Sequence, residues 1–86
     1  MQNIMGRYYH LSKKATDEQL KEVLREMREQ DNVKKVEITE DHLYMIVETK
    51  DDKFEEVMAK AVNICSRVAG GMELSFDKFT AEVQAS

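Results

Sequence analysis

Few side chains in this chain could do chemistry: His10, His42, Cys65 and the adjacent pair Lys13-Lys14. Two imidazoles can hold a borderline ion such as zinc or nickel, and Glu40 and Asp41 are the nearest further ligands to His42. The plainer reading is two solvated surface histidines. Cys65 is the single cysteine, so an internal disulfide is excluded. Its apolar neighbours at helical spacing make it a small core hydrophobe rather than a reactive thiol. Lys13 and Lys14 sit just before a helix, whose free N-terminal amides favour anions. Asp17 and Glu18 follow at once, however, and no glycine-rich loop brings backbone close to a phosphate. No Ser-His-Asp set, activated cysteine or pair of acids in a pocket can be assembled, so the chain reads as non-enzymatic and implies no cofactor.

The elements that must position these groups follow from periodicity. Thr16 to Gln30 is the clearest helix: Leu20, Val23, Leu24 and Met27 form one apolar stripe, and charged residues fill the opposite side. Thr16 is a natural N-cap, Gln19 can close a capping box, and Asp17 and Glu18 complement the helix dipole. A second helical stripe runs through Phe54, Val57, Met58, Ala61, Ile64, Cys65 and Val68, and Gly70-Gly71 ends it.

Alternation marks the strands. Arg7 to Ser12 would place Tyr9 and Leu11 toward the core and Tyr8 and His10 away from it. Val33 to Thr39 and Leu43 to Thr49 read as a hairpin about a tight Glu40-Asp41 turn, which pairs Ile38 with Leu43 and Val36 with Met45. Met72, Leu74 and Phe76 face inward in a fourth strand. Residues 78–86 form a frayed tail or a short helix, and Met1 to Gly6 is a frayed lead-in. The order strand, helix, strand, strand, helix, strand predicts an α+β, ferredoxin-like βαββαβ fold, a four-stranded antiparallel sheet with both helices on one face. In that fold the Lys13-Lys14 loop, the Glu40-Asp41 turn and the Gly70-Gly71 turn gather at one end.

Composition sets the outer bounds. The 86 residues support one domain, and 42% hydrophobic with 35% charged residues describe a folded chain with a well-solvated surface. No apolar run is long enough to span a bilayer, and MQNIMGRYYH lacks the apolar core of a signal peptide. A cytoplasmic location without membrane insertion is expected. A formal charge of −4 gives no general attraction to nucleic acid, so no nucleic-acid partner is expected. Tyr8 and Tyr44 could imitate the stacking platform of an RNA-recognition sheet, but the basic and aromatic pattern of such sheets is missing.

Across nearly its whole length the chain resembles the heavy-metal-associated domain of soft-metal chaperones and metal-transporting P-type ATPases. The stretch VKKVEITEDHLYMIVETKDDKFEEVMAKAVNICSRV is similar to the segment that follows the metal loop in zinc- and cadmium-type ATPase domains. The resemblance implies the same fold and an association with metal transport or trafficking. That family grips its ion with Cys-x-x-Cys at the start of the first helix, and counting back from Asn32-Val33 puts those positions on Thr16 and Gln19. A hydroxyl and a neutral amide do not replace two thiolates for a soft ion, so the implied metal function is degenerate here.

The sheet face that the helices leave uncovered carries Tyr8, His10, Tyr44 and Ile46, bordered by Lys35, Glu37, Glu48, Glu73 and Ser75. Aromatic and apolar side chains ringed by charge are the makeup of a contact surface. The expected function is therefore a non-catalytic interaction or regulatory module that takes a protein partner, or a second copy, on this face. The alternative is a metal-binding module using His10 and His42.

Overall fold

The computed structural model describes residues 6–80. Its elements run β1 (Arg7–Leu11), α1 (Asp17–Arg28), β2 (Val33–Ile38), β3 (Tyr44–Thr49), α2 (Glu55–Val68) and β4 (Leu74–Phe79). The sheet has four strands in the order β2-β3-β1-β4, with every neighbouring pair antiparallel. Each helix thus connects two strands that a third one separates, which is the ferredoxin-like arrangement. Among the described residues, no helix is long and apolar enough to cross a membrane.

Local chemistry explains the helix ends. At α1 the Thr16 hydroxyl accepts from the Gln19 amide at 3.1 Å, and the Gln19 side chain accepts from the Thr16 amide at 3.0 Å, closing the capping box. At the end of α2 the Ala69 amide donates to the Cys65 carbonyl and the Gly71 amide to the Ser66 carbonyl. This overlap of bonds requires a left-handed backbone, and Gly70 (φ 59°) and Gly71 (φ 86°) supply it without a Cβ penalty.

One hydrophobic core lies between the helices and a single sheet face. Val23 and Met27 of α1, Val57, Ala61 and Cys65 of α2, and Leu11, Val36, Met45 and Val47 of the sheet are all buried within it. Outside the core, Arg67 of α2 reaches Glu26 of α1 at 2.5 Å, tying the helices together. Of the expected frayed lead-in, residues 1–5 lie outside the described residues, and Gly6 is held in place. Gly6 is buried, donates to the Thr80 hydroxyl and accepts from the Thr80 amide, each at 2.9 Å. A Cβ there would stand 2.8 Å from Glu48 Cγ and 3.2 Å from the Val47 carbonyl oxygen, so any larger residue would force its neighbours to shift.

The hairpin between β2 and β3 departs from the sequence expectation. Ile38 pairs with Met45 and Val36 with Val47, so the register slips by two residues from the tight-turn expectation. Thr39 and Tyr44 close a longer loop: the Thr39 amide donates to the Tyr44 carbonyl at 3.0 Å. Inside it Asp41 accepts from the Thr39 hydroxyl (2.6 Å) and the Leu43 amide (3.0 Å), and His42 takes a left-handed φ of 63°. An even slip keeps every side chain on its expected face, so the core pattern survives. Leu43 becomes a loop residue.

These bonds, first that from Thr39 and then that from Leu43, hold the Asp41 carboxyl below the ordinary aspartate range. A folded-state value below the unfolded one adds stability above the unfolded value, and that contribution is lost as pH falls through the folded value. Asp41→Asn should therefore melt below wild type at neutral pH, and the gap between the two should narrow under acid. Thermal melts of both proteins at the two pH values check this.

β4 also differs from expectation. Lys78 and Phe79 belong to the strand rather than to a tail or helix, and residues 81–86 lie outside the described residues. Phe76 pairs with Tyr9 on the helix side of the sheet as predicted, yet it is 49% exposed. Among the described residues β4 is an edge strand, with β1 as its one neighbour. An inward-pointing residue at an edge is not necessarily covered. An irregularity in the β1–β4 register between Tyr8 and Tyr9 then brings Phe79 opposite Arg7, on the same side as Phe76.

Candidate functional site

The uncovered face of the sheet is assembled by strand register. Tyr8 of β1 lies opposite Ile46 of β3, and His10 opposite Tyr44. On the far side of β3, Glu37 flanks Ile46 and Lys35 flanks Glu48; beyond β1, Ser75 stands beside His10 and Lys78 beside Tyr8. Tyr8, Tyr44 and Ile46 are half-buried and His10 is exposed. All of the expected face residues except Glu73, which precedes β4, thus fall on adjoining strands.

The rings on this face touch one another rather than standing apart. Tyr8 and Tyr44 meet edge to face with centroids 6.3 Å apart, and His10 meets Tyr44 in the same way at 5.3 Å. The Lys78 ammonium lies 5.0 Å from the centre of the Tyr8 ring, a cation–π contact. Lys78 lies outside the fourth strand expected from the sequence, which gives way to a tail or short helix at residue 78; the register irregularity between Tyr8 and Tyr9 sets it on the open face. The result is a small aromatic patch with Lys78 and Lys35 among its cations and Glu37 and Glu48 among its anions.

The two histidines have different surroundings. His10 stays on the open face against Tyr44, whereas His42 sits in the β2–β3 loop with Nε2 3.4 Å from Asp17 Oδ1 at the start of α1. His42 is therefore turned to the helix side, where it lines a shallow depression of about 280 Å³ with Leu20, Leu24 and Ile38. The two imidazoles, candidate ligands of one ion, therefore lie on different sides of the sheet, His42 being redirected by its left-handed backbone. Among the described residues, no three His, Cys, Asp or Glu side chains come together as a ligand set.

The loop-rich end is assembled as the topology requires. Lys13 reaches across to donate to the Gly70 carbonyl at 3.0 Å, which joins the β1–α1 loop to the α2–β4 turn. Cys65 is buried and far from any ligand partner in sequence, and burial pushes its thiol up to about 11. A neutral thiol is a poor nucleophile and a poor metal ligand.

Compared with protein-family models, with characterised proteins and with solved structures, the chain matches none.

Proposed function

We propose that this chain is a non-catalytic interaction module of the cytoplasm, which acts by docking a protein partner or a second copy of itself on its open sheet face. The observation that carries the reading is the contiguous patch of Tyr8, Tyr44, His10 and Ile46, with charged side chains of both signs at its border. Aromatic residues contribute large apolar area at low entropic cost, and a mixed polar border sets orientation. The likeness of the sequence to heavy-metal-associated domains supports placing the module beside a metal-transport system. Its metal-loop positions favour a structural role: Thr16 and Gln19 are committed to capping α1.

The test is a concentration series followed by sedimentation and amide NMR, repeated with any partner found. Shifts centred on Tyr8, His10, Tyr44, Ile46 and Lys78 are expected. Shifts confined to the outer surfaces of α1 and α2 would refute the proposal.

Titration with copper(I) under reducing conditions bears on the metal alternative. No tight one-to-one complex is expected, because thiolates are absent at positions 16 and 19. A tight complex that persists in Cys65→Ser would show a soft-metal site built from other ligands.

A further inference from the structure

Across the strands, the middle of the open face is a single row: Glu37 on the β2 edge, Ile46 on β3, Tyr8 on β1 and Lys78 on the β4 edge. An anion stands at one edge and a cation at the other, with apolar surface between them. The next row sets Tyr44 on β3 beside His10 on β1. Neither end charge is held in a close ion pair. The Glu37 side chain is 54% exposed, with Lys35 at 3.8 Å. Lys78 lies over the Tyr8 ring and makes no ion pair among the described residues.

Such a row is complementary to its own reverse. A twofold axis that runs along the strands, midway between β1 and β3, sends each edge of the sheet over the opposite edge of a second copy. Glu37 then meets Lys78 of the second copy, Ile46 covers its Tyr8, and Tyr44 covers its His10, each contact occurring twice. A twofold axis that crosses the strands at the middle row does the reverse, setting Glu37 on Glu37 and Lys78 on Lys78, which like charge opposes. Sheets packed face to face lie about 10 Å apart with strand directions within about 30° of each other, an offset that the long Glu and Lys side chains span. A four-stranded face with strands of five or six residues, roughly 19 by 18 Å, buries on the order of 1,000 Å² over both copies, the size of a transient interface.

We propose that the open face docks a second copy of this chain, sheet on sheet, about a twofold axis parallel to the strands, with Glu37 and Lys78 paired between the copies. The inference rests on the reading of that face as a docking surface and names its occupant. Contact of Ile46 with Tyr8 and of Tyr44 with His10 supplies the attraction. The two exposed ion pairs add little strength and fix the orientation.

The test is sedimentation equilibrium of the full chain from micromolar to millimolar concentration. The wild type should dimerise reversibly. Glu37→Lys and Lys78→Glu should each weaken the dimer about tenfold, since each turns two attractions into two repulsions. Both side chains are exposed, so the fold is retained. Mixed in equal amounts, the two variants should form a heterodimer about as tight as the wild type, because both edge pairings are again of opposite sign. The mixture carries the same total charge as two wild-type copies, so its recovery reports the pairing and not the net charge. A monomeric wild type overturns the proposal and leaves the face to a different protein. A dimer that ignores the single charge reversals but is lost in Tyr44→Glu with Ile46→Lys overturns the orientation, and so does a mixture tighter than wild type; in both cases the face remains a docking surface. A dimer that survives every one of these variants lies elsewhere on the molecule, and the open face is then ordinary surface.

Discussion

Cys65→Asp should abolish the folded state at ordinary temperature or lower its melting point by tens of degrees. Cys65 is fully buried between α2 and the sheet, and its own thiol is already pushed up to about 11 by burial alone. A carboxylate in that position would lose its hydration with no cation in reach, or would have to take up a proton, and either route is costly. The cost should be about 4 kcal/mol, against a total stability of roughly 5–15 kcal/mol for a domain. At roughly 4–8 °C per kcal/mol for a small domain, that is a large shift. Cys65→Ser, which changes volume little, should cost much less. Thermal melts of the two variants measure the difference, and thiol labelling supplies an independent check: native Cys65 should react far more slowly than the unfolded chain. A Cys65→Asp protein that melts like wild type would mean that the stripe Val57, Ala61, Ile64, Cys65 does not face the core.

The same stripe shows why so much of the fold was readable. Helical spacing in α1 and α2 and alternation in β1 and β3 are local properties, and each apolar position they mark has one core to enter. Tyr9, Leu11, Met45 and Val47 are buried where alternation requires. The hairpin register was less legible because its loop is held by side-chain bonds from Asp41 and by the left-handed His42, neither of which is a strong sequence signal. The error was even, so it changed strand partners but not faces.

Position in the sheet was harder still to read. Nothing in the segment LSFDKF announces an edge strand or a register irregularity, yet those features expose Phe76, turn Phe79 to the helix side and bring Lys78 over Tyr8. The same irregularity brings Phe79 opposite Arg7, whose guanidinium is then gathered with rings distant in sequence: Phe54, Phe76 and Phe79. The open face, in contrast, was legible because it is the complement of the core on two adjoining strands.

Tyr44→Glu combined with Ile46→Lys should leave folding nearly intact and abolish docking on the open face. Both residues alternate with the buried Met45 and Val47 on β3, and both face away from the helices. Neither substitution puts a charge into the core, so only the edge-to-face contacts of Tyr44 with Tyr8 and His10 are lost from the fold. Such pairs contribute about 1 kcal/mol each, which sets the scale of the expected loss in stability. Docking loses far more. Apolar surface contributes roughly 25 cal/mol per Å² when removed from water, a gross gain that association entropy reduces. In the double variant that apolar area is replaced by two charges that must be desolvated in any interface. Opposite charges at the two positions also keep the net charge unchanged, so a loss of binding cannot be ascribed to long-range repulsion. Sedimentation and thermal melts on wild type and variant decide the outcome. A collapsed melting temperature would place Tyr44 and Ile46 in the core and overturn the register. Unchanged partner binding, with a wild type that stays monomeric, would show the patch to be ordinary surface.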